Sequence, residues 1–310
     1  MRDEPTASIR YLQDYRERLP GPAGFRDGCD PTPYALRMTI MLGPRGQRSV
    51  TVEIDVIGTP EEVWAAIATS AGVSSWFVDT IFENEGDGAP LRFRNNFGPG
   101  MESVSEISSW NPPRVFTAES QDLGPDAPPV LTTWTAEPNT AGGCTVRVTH
   151  SVHTDKPDWD APLSAWESGW PAFFHLLQLK LEHFRGEPSA SCSFSATAQD
   201  AEAAWKALAT GLGIVDVEVG ANFAAPDTAP ALAGCVERAA EPRERVLRLA
   251  QPAPAVVHTF VMPTGKNAAV WMRFNFFGES AAAAADAARS AWQAWFADQF
   301  PANPSAAESH

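Results

Sequence analysis

Short runs of alternating apolar and polar residues fill the first half of the chain and predict a series of β-strands. The first run spans Ser49 to Ile57. Six more follow, and Asn-, Gly- and Pro-rich turns separate them: Thr80 to Glu83, Leu91 to Phe97, Ser103 to Ser108, Arg114 to Glu119, Leu131 to Glu137 and Cys144 to His153. This succession is typical of an antiparallel meander.

Two kinds of helix are predicted around these strands. Thr59 as N-cap, Pro60 at the first helical position and Glu62 three residues after the cap form a capping box, which begins a short helix. A second short turn of helix is expected to end near Trp76. A long helix from about Pro162 to Phe184 has apolar residues at steps of three and four: Leu163, Trp166, Trp170, Phe173, Leu177, Leu181 and Phe184. That apolar face must pack against the sheet.

The second half of the chain repeats this order of elements. A strand to Thr197, a helix to about Gly211, a strand from Ile214 to Val219 and four further strands lead to a closing helix from Ala281 to Phe300. A repeat this long indicates two whole domains rather than a solenoid. We therefore predict an α+β protein with two tandem helix-grip domains, each a curved antiparallel β-sheet wrapped around a long C-terminal α-helix.

The predicted domain boundaries follow the changes of pattern. Residues 1–45 are interpreted as an N-terminal extension, because prolines and glycines interrupt them; a flexible tail is favoured over a docking segment, and a start of translation at Met38 or Met41 is an alternative. Residues 46–187 form the first helix-grip domain, residues 188–302 a shorter, degenerate one, and residues 303–310 a tail.

Composition narrows the classes of partner. The chain has 310 residues and a formal charge of −15, with no Lys/Arg cluster, so we expect neither nucleic acid nor an anionic membrane as a partner. No segment has the apolar length of a membrane span, and charged residues near the start argue against a secretory signal. Four scattered cysteines are expected to be reduced thiols of a cytoplasmic protein: Cys29, Cys144, Cys192 and Cys235.

A succession of motifs links the first domain to a known family. The motifs are Thr59-Pro60-Glu61-Glu62-Val63-Trp64, Trp76-Phe77, Gly98 to Val104, Asn111-Pro112-Pro113-Arg114, Gly143 to His150 and Gly169-Trp170. Residues 50–185 thereby resemble the activator of Hsp90 ATPase branch of the START/Bet v 1-like (SRPBCC) superfamily. Residues 190–300 resemble the superfamily more weakly, because they lack a counterpart of Trp76-Phe77.

The resemblance implies a cavity between the sheet and the long helix. Members of the superfamily hold lipids, sterols, polyketides, hormones or aromatic metabolites there; some are cyclases or hydrolases, and members of the co-chaperone branch bind Hsp90. The fold alone does not choose among these uses.

Alternation along the last strand directs His150 into the domain interior and His153 to the opposite face, so the two cannot bind one metal ion. His150 is interpreted as a pocket residue; a hydrogen-bonded core histidine is the alternative, and a catalytic role is less favoured. His175, about 140° around the long helix from Trp170, is expected to be exposed.

The aromatic residues of the first domain predict an enclosure for a ligand, although any one ring could simply fill the core. Leu91 and Asn95 share a strand face with two of the rings. We predict a pocket lined by Trp76, Phe77, Phe93, Phe97, Trp134, His150, Trp166, Trp170 and Phe174.

Nothing in the sequence indicates covalent, metal or nucleotide chemistry, and no cofactor is expected. Asp155, Asp158 and Asp160 precede the long helix, and Glu83 and Glu85 lie near a strand end; helix capping is favoured over acid/base work. We predict that the first domain binds an apolar or aromatic small molecule while the second packs against it as a structural partner. The alternatives are a co-chaperone-like interaction with a protein, and a polyketide cyclase- or hydrolase-like enzyme that uses His150.

Overall fold

The computed structural model describes residues 8–11, 32, 35–42, 47–84, 88–98, 100–124, 127–154, 160–240 and 242–301. Its contacts divide the chain into two compact units, the first ending at Arg185 and the second beginning at Gly186; residues 20–33 are grouped with the second.

The first unit is built on a nine-stranded antiparallel sheet. Its strands are β1 (Ser8–Tyr11), β2 (Leu36–Leu42), β3 (Gln47–Val56), β4 (Asp79–Glu83), β5 (Arg92–Asn96), β6 (Glu102–Asn111), β7 (Val115–Ser120), β8 (Val130–Pro138) and β9 (Cys144–His153). The spatial order is β1-β2-β3-β9-β8-β7-β6-β5-β4. Strands β4 to β9 form the predicted meander, and β3 pairs with β9 from Gln47↔His153 to Val56↔Cys144.

Strand β2 lies in the segment interpreted as an N-terminal extension, and here the structure differs from the expectation. Its seven residues pair in register with β3. Arg37 on β2 bonds Glu53 at 3.3 Å and Asp55 at 2.9 Å on the same face. These contacts raise the pKa of Arg37 and lower that of Asp55. Residues 36–42 therefore belong to the sheet.

Three helices complete the first unit: α1 (Pro60–Ile67), α2 (Ser70–Ser74) and α3 (Asp160–His183). The predicted capping box is confirmed, because the Glu62 amide donates to Thr59 Oγ1 at 3.3 Å and the Thr59 amide donates to Glu62 Oε2 at 2.8 Å. Of the predicted apolar face, Trp170, Leu177, Leu181 and Phe184 are buried, but the prediction for His175 is wrong: this side chain is 1% exposed. The opposite side of α3 is also buried, at Ala172, Leu176 and Leu179.

The second unit repeats the arrangement with fewer strands. Its elements are β10 (Ser189–Ala198), α4 (Ala201–Leu212), β11 (Asn222–Ala224), β12 (Ala233–Ala240), β13 (Glu244–Gln251), β14 (Ala255–Thr264), β15 (Asn267–Phe277) and α5 (Ala281–Gln299). The antiparallel order is β10-β15-β14-β13-β12-β11, and α5 packs on β10 and β15. The predicted α+β helix-grip class, with an antiparallel sheet against a C-terminal helix, is confirmed.

The strand predicted from Ile214 to Val219 is wrong. Helix α4 ends at Gly213, whose φ of 71° reverses the chain, and Asp216 continues the turn at φ 57°. Ile214 is fully buried in the core of the unit. It is apolar because it is a core residue of a turn, and the strand of this region is β11.

The expectation that the cysteines are reduced thiols is wrong at one position. Cys144 and Cys192 are buried free thiols, but Cys235 is disulfide-bonded; Cys29 lies outside the described residues. Within the described ranges, no helix has the length and apolarity to cross a membrane. The same residues hold no group of three or more His, Cys, Asp or Glu side chains that could bind a metal ion.

Candidate ligand-binding cavity

A cavity of about 280 Å³ lies inside the first unit, between the inner face of the sheet and α3. This is near the lower end of the roughly 300–1,000 Å³ typical of small-molecule sites. Nine phenylalanine and tryptophan rings form much of its wall: Trp76, Phe77, Phe82, Phe93, Phe97, Phe116, Trp134, Trp170 and Phe173.

The wall is held by contacts between rings from separate elements. Phe77, which follows α2, stacks on Trp170 of α3 with centroids 5.6 Å apart. Trp134 of β8 meets Trp170 edge to face at 5.3 Å. The Trp76 indole N–H donates to the Ala66 carbonyl at 2.9 Å, which satisfies its polar atom in a buried position. The rings are therefore fixed before any ligand enters.

Phe97 stands at the exposed side of the cavity. It is 39% exposed and meets Phe77 edge to face at 5.7 Å. Because it lies directly after β5 and lines the cavity, it separates the interior from solvent.

Polar side chains occupy part of the wall: Thr80, Asn95, Ser103, Ser105, Asp122 and Thr132. Thr80 Oγ1 donates to Asn95 Oδ1 at 2.8 Å, and the Ser103 hydroxyl donates to Asp122 Oδ2 at 2.9 Å. Apart from Asn95, sequence reasoning did not identify these residues as cavity residues. Alternation along β6 and β8 would have placed Ser103, Ser105 and Thr132 on inward faces.

His150 lies on β9 among the rings and is 8% exposed. Its Nε2 accepts a hydrogen bond from the Trp170 indole N–H at 2.8 Å, and its Nδ1 lies 2.9 Å from Thr132 Oγ1. Burial lowers the pKa of His150 to about 3. The imidazole is thus neutral near pH 7, and both ring nitrogens already have partners.

Residues 47–175 match the model of a family described as polyketide cyclase / dehydrase and lipid transport. The matched segment runs from β3 into α3 and includes all nine rings of the cavity wall. Residues 47–175 thus resemble the START/Bet v 1-like (SRPBCC) superfamily predicted from the sequence, and the first unit is called the SRPBCC domain for this resemblance.

Several solved structures are similar to the chain. DynU16, from the dynemicin biosynthetic locus, is 18% identical, with 73% of this chain and 86% of that chain covered and a TM-score of 0.36. CalU16 from Micromonospora echinospora is 17% identical, with coverage of 49% and 86% and a TM-score of 0.36. The Aha1 dimer from Colwellia psychrerythraea is 18% identical, with coverage of 44% and 96% and a TM-score of 0.32. No curated protein matches the sequence.

The SRPBCC domain brings together seven of the predicted pocket residues around the cavity: Trp76, Phe77, Phe93, Phe97, Trp134, His150 and Trp170. Phe174 lies behind them, fully buried, with its ring 5.3 Å from that of Trp170 and 6.0 Å from that of Trp134. Trp166 is in α3, but its side chain is outside the described part.

Other candidates of the SRPBCC domain lie away from the cavity. Leu91, expected to face the interior, is 63% exposed and directly precedes β5. His153 is exposed, on the opposite sheet face from His150. Glu83 pairs with Arg92 at 2.6 Å and Arg94 at 3.1 Å, and hydrogen bonding to Arg92 is the main cause of its lowered pKa. Asp155, Asp158 and Glu85 lie outside the described residues, as does the side chain of Asp160.

Proposed function

We propose that the SRPBCC domain binds a small, largely apolar or aromatic molecule in this cavity and carries out no covalent chemistry on it. The observation that carries the proposal is the cavity wall, in which nine aromatic rings accompany a few polar side chains. Apolar walls with a small number of placed polar groups are typical of small-molecule sites.

The state of His150 favours binding over catalysis. A general acid or base works best when its pKa lies near the operating pH and one nitrogen can reach the substrate. His150 has a pKa of about 3, and both nitrogens are engaged by Trp170 and Thr132. The cyclase- or hydrolase-like use of His150 is therefore disfavoured.

The experiment that tests the proposal is native mass spectrometry of the protein isolated from its own cells, before and after denaturation. A ligand would appear as an extra mass that leaves on unfolding. Ser105 lines the cavity and is buried on β6, whereas Ser109 on the same strand is exposed. We expect Ser105→Phe, which fills the cavity, to lose the extra mass, and Ser109→Phe to keep it.

An extra mass retained by a folded Ser105→Phe variant would place the ligand elsewhere and contradict the proposal. A protein without extra mass that also fails to bind aromatic probes at millimolar concentration would contradict it as well. That second outcome would favour the co-chaperone-like alternative, in which a surface rather than the cavity carries the function.

A further inference from the structure

The hydrogen bonds that link Trp170, His150 and Thr132 in the cavity wall have a fixed direction. An indole N–H can only donate, so Trp170 must give its hydrogen to His150 Nε2, 2.8 Å away. A neutral imidazole has one N–H, which must then sit on Nδ1. Nδ1 faces Thr132 Oγ1 at 2.9 Å, so the threonine oxygen accepts this bond.

This arrangement leaves the Thr132 hydroxyl hydrogen unused. A hydroxyl has one hydrogen to donate, and His150 occupies only an acceptor position of the oxygen. Among the described residues, no acceptor takes the Thr132 hydrogen. Thr132 also lines the cavity, so this hydrogen is available to a group bound there.

The second unit provides an internal comparison, because it builds the same positions without polar groups. Thr132 pairs with His150 across β8 and β9, and Val257 pairs with Phe274 across the corresponding strands β14 and β15. Trp292 of α5 approaches Phe274 with centroids 5.5 Å apart, much as Trp170 approaches His150 at 5.6 Å. Val257, Phe274 and Trp292 are all apolar, and their side chains are buried.

Comparison of the two units separates a structural role of Thr132, His150 and Trp170 from a functional one. A helix-grip unit of this chain packs Val, Phe and Trp at these positions, so the fold itself does not require a hydrogen-bonded set. Burying polar groups costs free energy unless every one is paired. The polar set in the first unit is therefore better explained by what it presents to the cavity.

We propose that Thr132 determines ligand specificity by donating a hydrogen bond to an acceptor oxygen on an aromatic ligand. His150 and Trp170 are positioning residues that orient the hydroxyl. The inference rests on the proposed function and names the ligand class for the same cavity.

Charge further restricts the ligand. Asp122 lines the cavity and receives hydrogen bonds from Ser103 and Ser120 at 2.9 and 2.8 Å. A carboxylate at the wall repels an anionic ligand, and no Lys or Arg side chain is among the cavity-lining residues that the structure describes. The ligand class is thus a neutral aromatic molecule with an acceptor oxygen, for which an aromatic ketone is a suitable probe, rather than an aromatic carboxylic acid.

The test compares fluorenone with fluorene, which has the same ring system but a CH₂ group in place of the carbonyl. Calorimetric titration of the full chain gives both dissociation constants. We expect the wild-type protein to bind fluorenone about three- to tenfold more tightly, the scale of one neutral hydrogen bond. Thr132→Val should abolish this preference by weakening the binding of fluorenone but not that of fluorene. Thr132→Ser should retain the preference.

A second variant tests the positioning role. His150→Phe copies the residue of the second unit and removes the group that orients Thr132. We expect it to reduce the fluorenone preference, which is measured as the ratio of the two dissociation constants within the same variant. Thermal unfolding of each variant establishes that it is folded before titration.

The outcomes distinguish this inference from the proposed function. Equal binding of the two probes by the wild-type protein, or a preference that survives in Thr132→Val, overturns the role of Thr132 while leaving a cavity that binds aromatic molecules. If the wild-type protein binds neither probe, the proposed function fails and the inference fails with it.

Discussion

A buried neutral imidazole makes the stability of the protein depend on pH. The pKa of His150 is about 3 in the folded protein and 6.5 for an ordinary histidine. Between these values the unfolded chain binds a proton that the folded protein does not, so stability falls as the pH is lowered. We predict that His150→Phe removes about 1.4 kcal/mol per pH unit from this slope in the middle of the window, where the unfolded histidine is protonated and the folded one is not.

The measurement is urea unfolding at several pH values between 7 and 4, with the variant compared with the wild-type protein. His153→Gln is the matched control, because His153 lies on the same strand but is exposed. It should leave the slope unchanged. Parallel curves for His150→Phe and the wild-type protein would contradict the assignment of a buried, neutral His150.

Two equivalent tryptophans separate packing from ligand binding. Trp170 and Trp292 are both buried, but only Trp170 lines the cavity that the first unit contains. We predict that alanine at either position lowers the unfolding free energy by about 3–5 kcal/mol, as for other buried rings. Only Trp170→Ala should weaken binding of fluorene to the folded protein. Equal losses of binding in both variants would show that the cavity is not the site.

At the scale of residues, alternation along a strand predicted the direction of side chains better than position around a helix did. The inward direction of His150 followed from β9 alone, but its partners could not, because the Trp170 contact depends on how α3 packs over the sheet. The prediction for His175 failed because it assumed solvent on the far side of α3, where the structure buries Leu176 and Leu179.

Two helix glycines should respond in opposite directions to the same substitution. Alanine favours a helix over glycine by about 1 kcal/mol. At Gly169 in α3 an added Cβ meets no atom within 4 Å, so Gly169→Ala should stabilise the protein by about 0.4–1 kcal/mol. At Gly211 in α4 the Cβ would overlap the Trp295 ring, so Gly211→Ala should destabilise it despite the better helix propensity.

Chemical denaturation of the two alanine variants checks this pair. Stabilisation by Gly211→Ala would show that Trp295 can move away and that the contact between α4 and α5 is loosely packed. Because Gly169 also lines the cavity, its variant should be compared for stability in the absence of any probe.

At the scale of elements, local signals predicted most strands and helices. The capping box at Thr59 placed the start of α1, and alternation placed β9 at its observed bounds. Strand β11 was missed because the apolar residues Ile214 and Val217 belong to a turn that packs on the core. Tertiary packing, rather than local pattern, decides such segments.

At the scale of the whole molecule, the two units share a fold but differ in what fills the space between the sheet and the C-terminal helix. The first unit encloses a cavity between rings and polar side chains, whereas the space between sheet and helix in the second is packed with rings such as Phe274, Trp292 and Phe296. The sequence indicated the second copy but not this difference, because a ring that fills a core and a ring that lines a cavity occupy the same positions in the pattern.

The disulfide at Cys235 leads to a prediction about the redox environment of the protein. Disulfides persist in oxidising compartments and are rare in the cytoplasm, so the cytoplasmic location expected from the sequence would require this cysteine to be reduced. We predict that alkylation of the unfolded, unreduced protein labels Cys144 and Cys192, and that Cys235 is labelled only after reduction. Peptide mass spectrometry reads each position separately. Labelling of Cys235 without reductant, in protein isolated with its thiols protected from air, would contradict the disulfide and restore the cytoplasmic expectation.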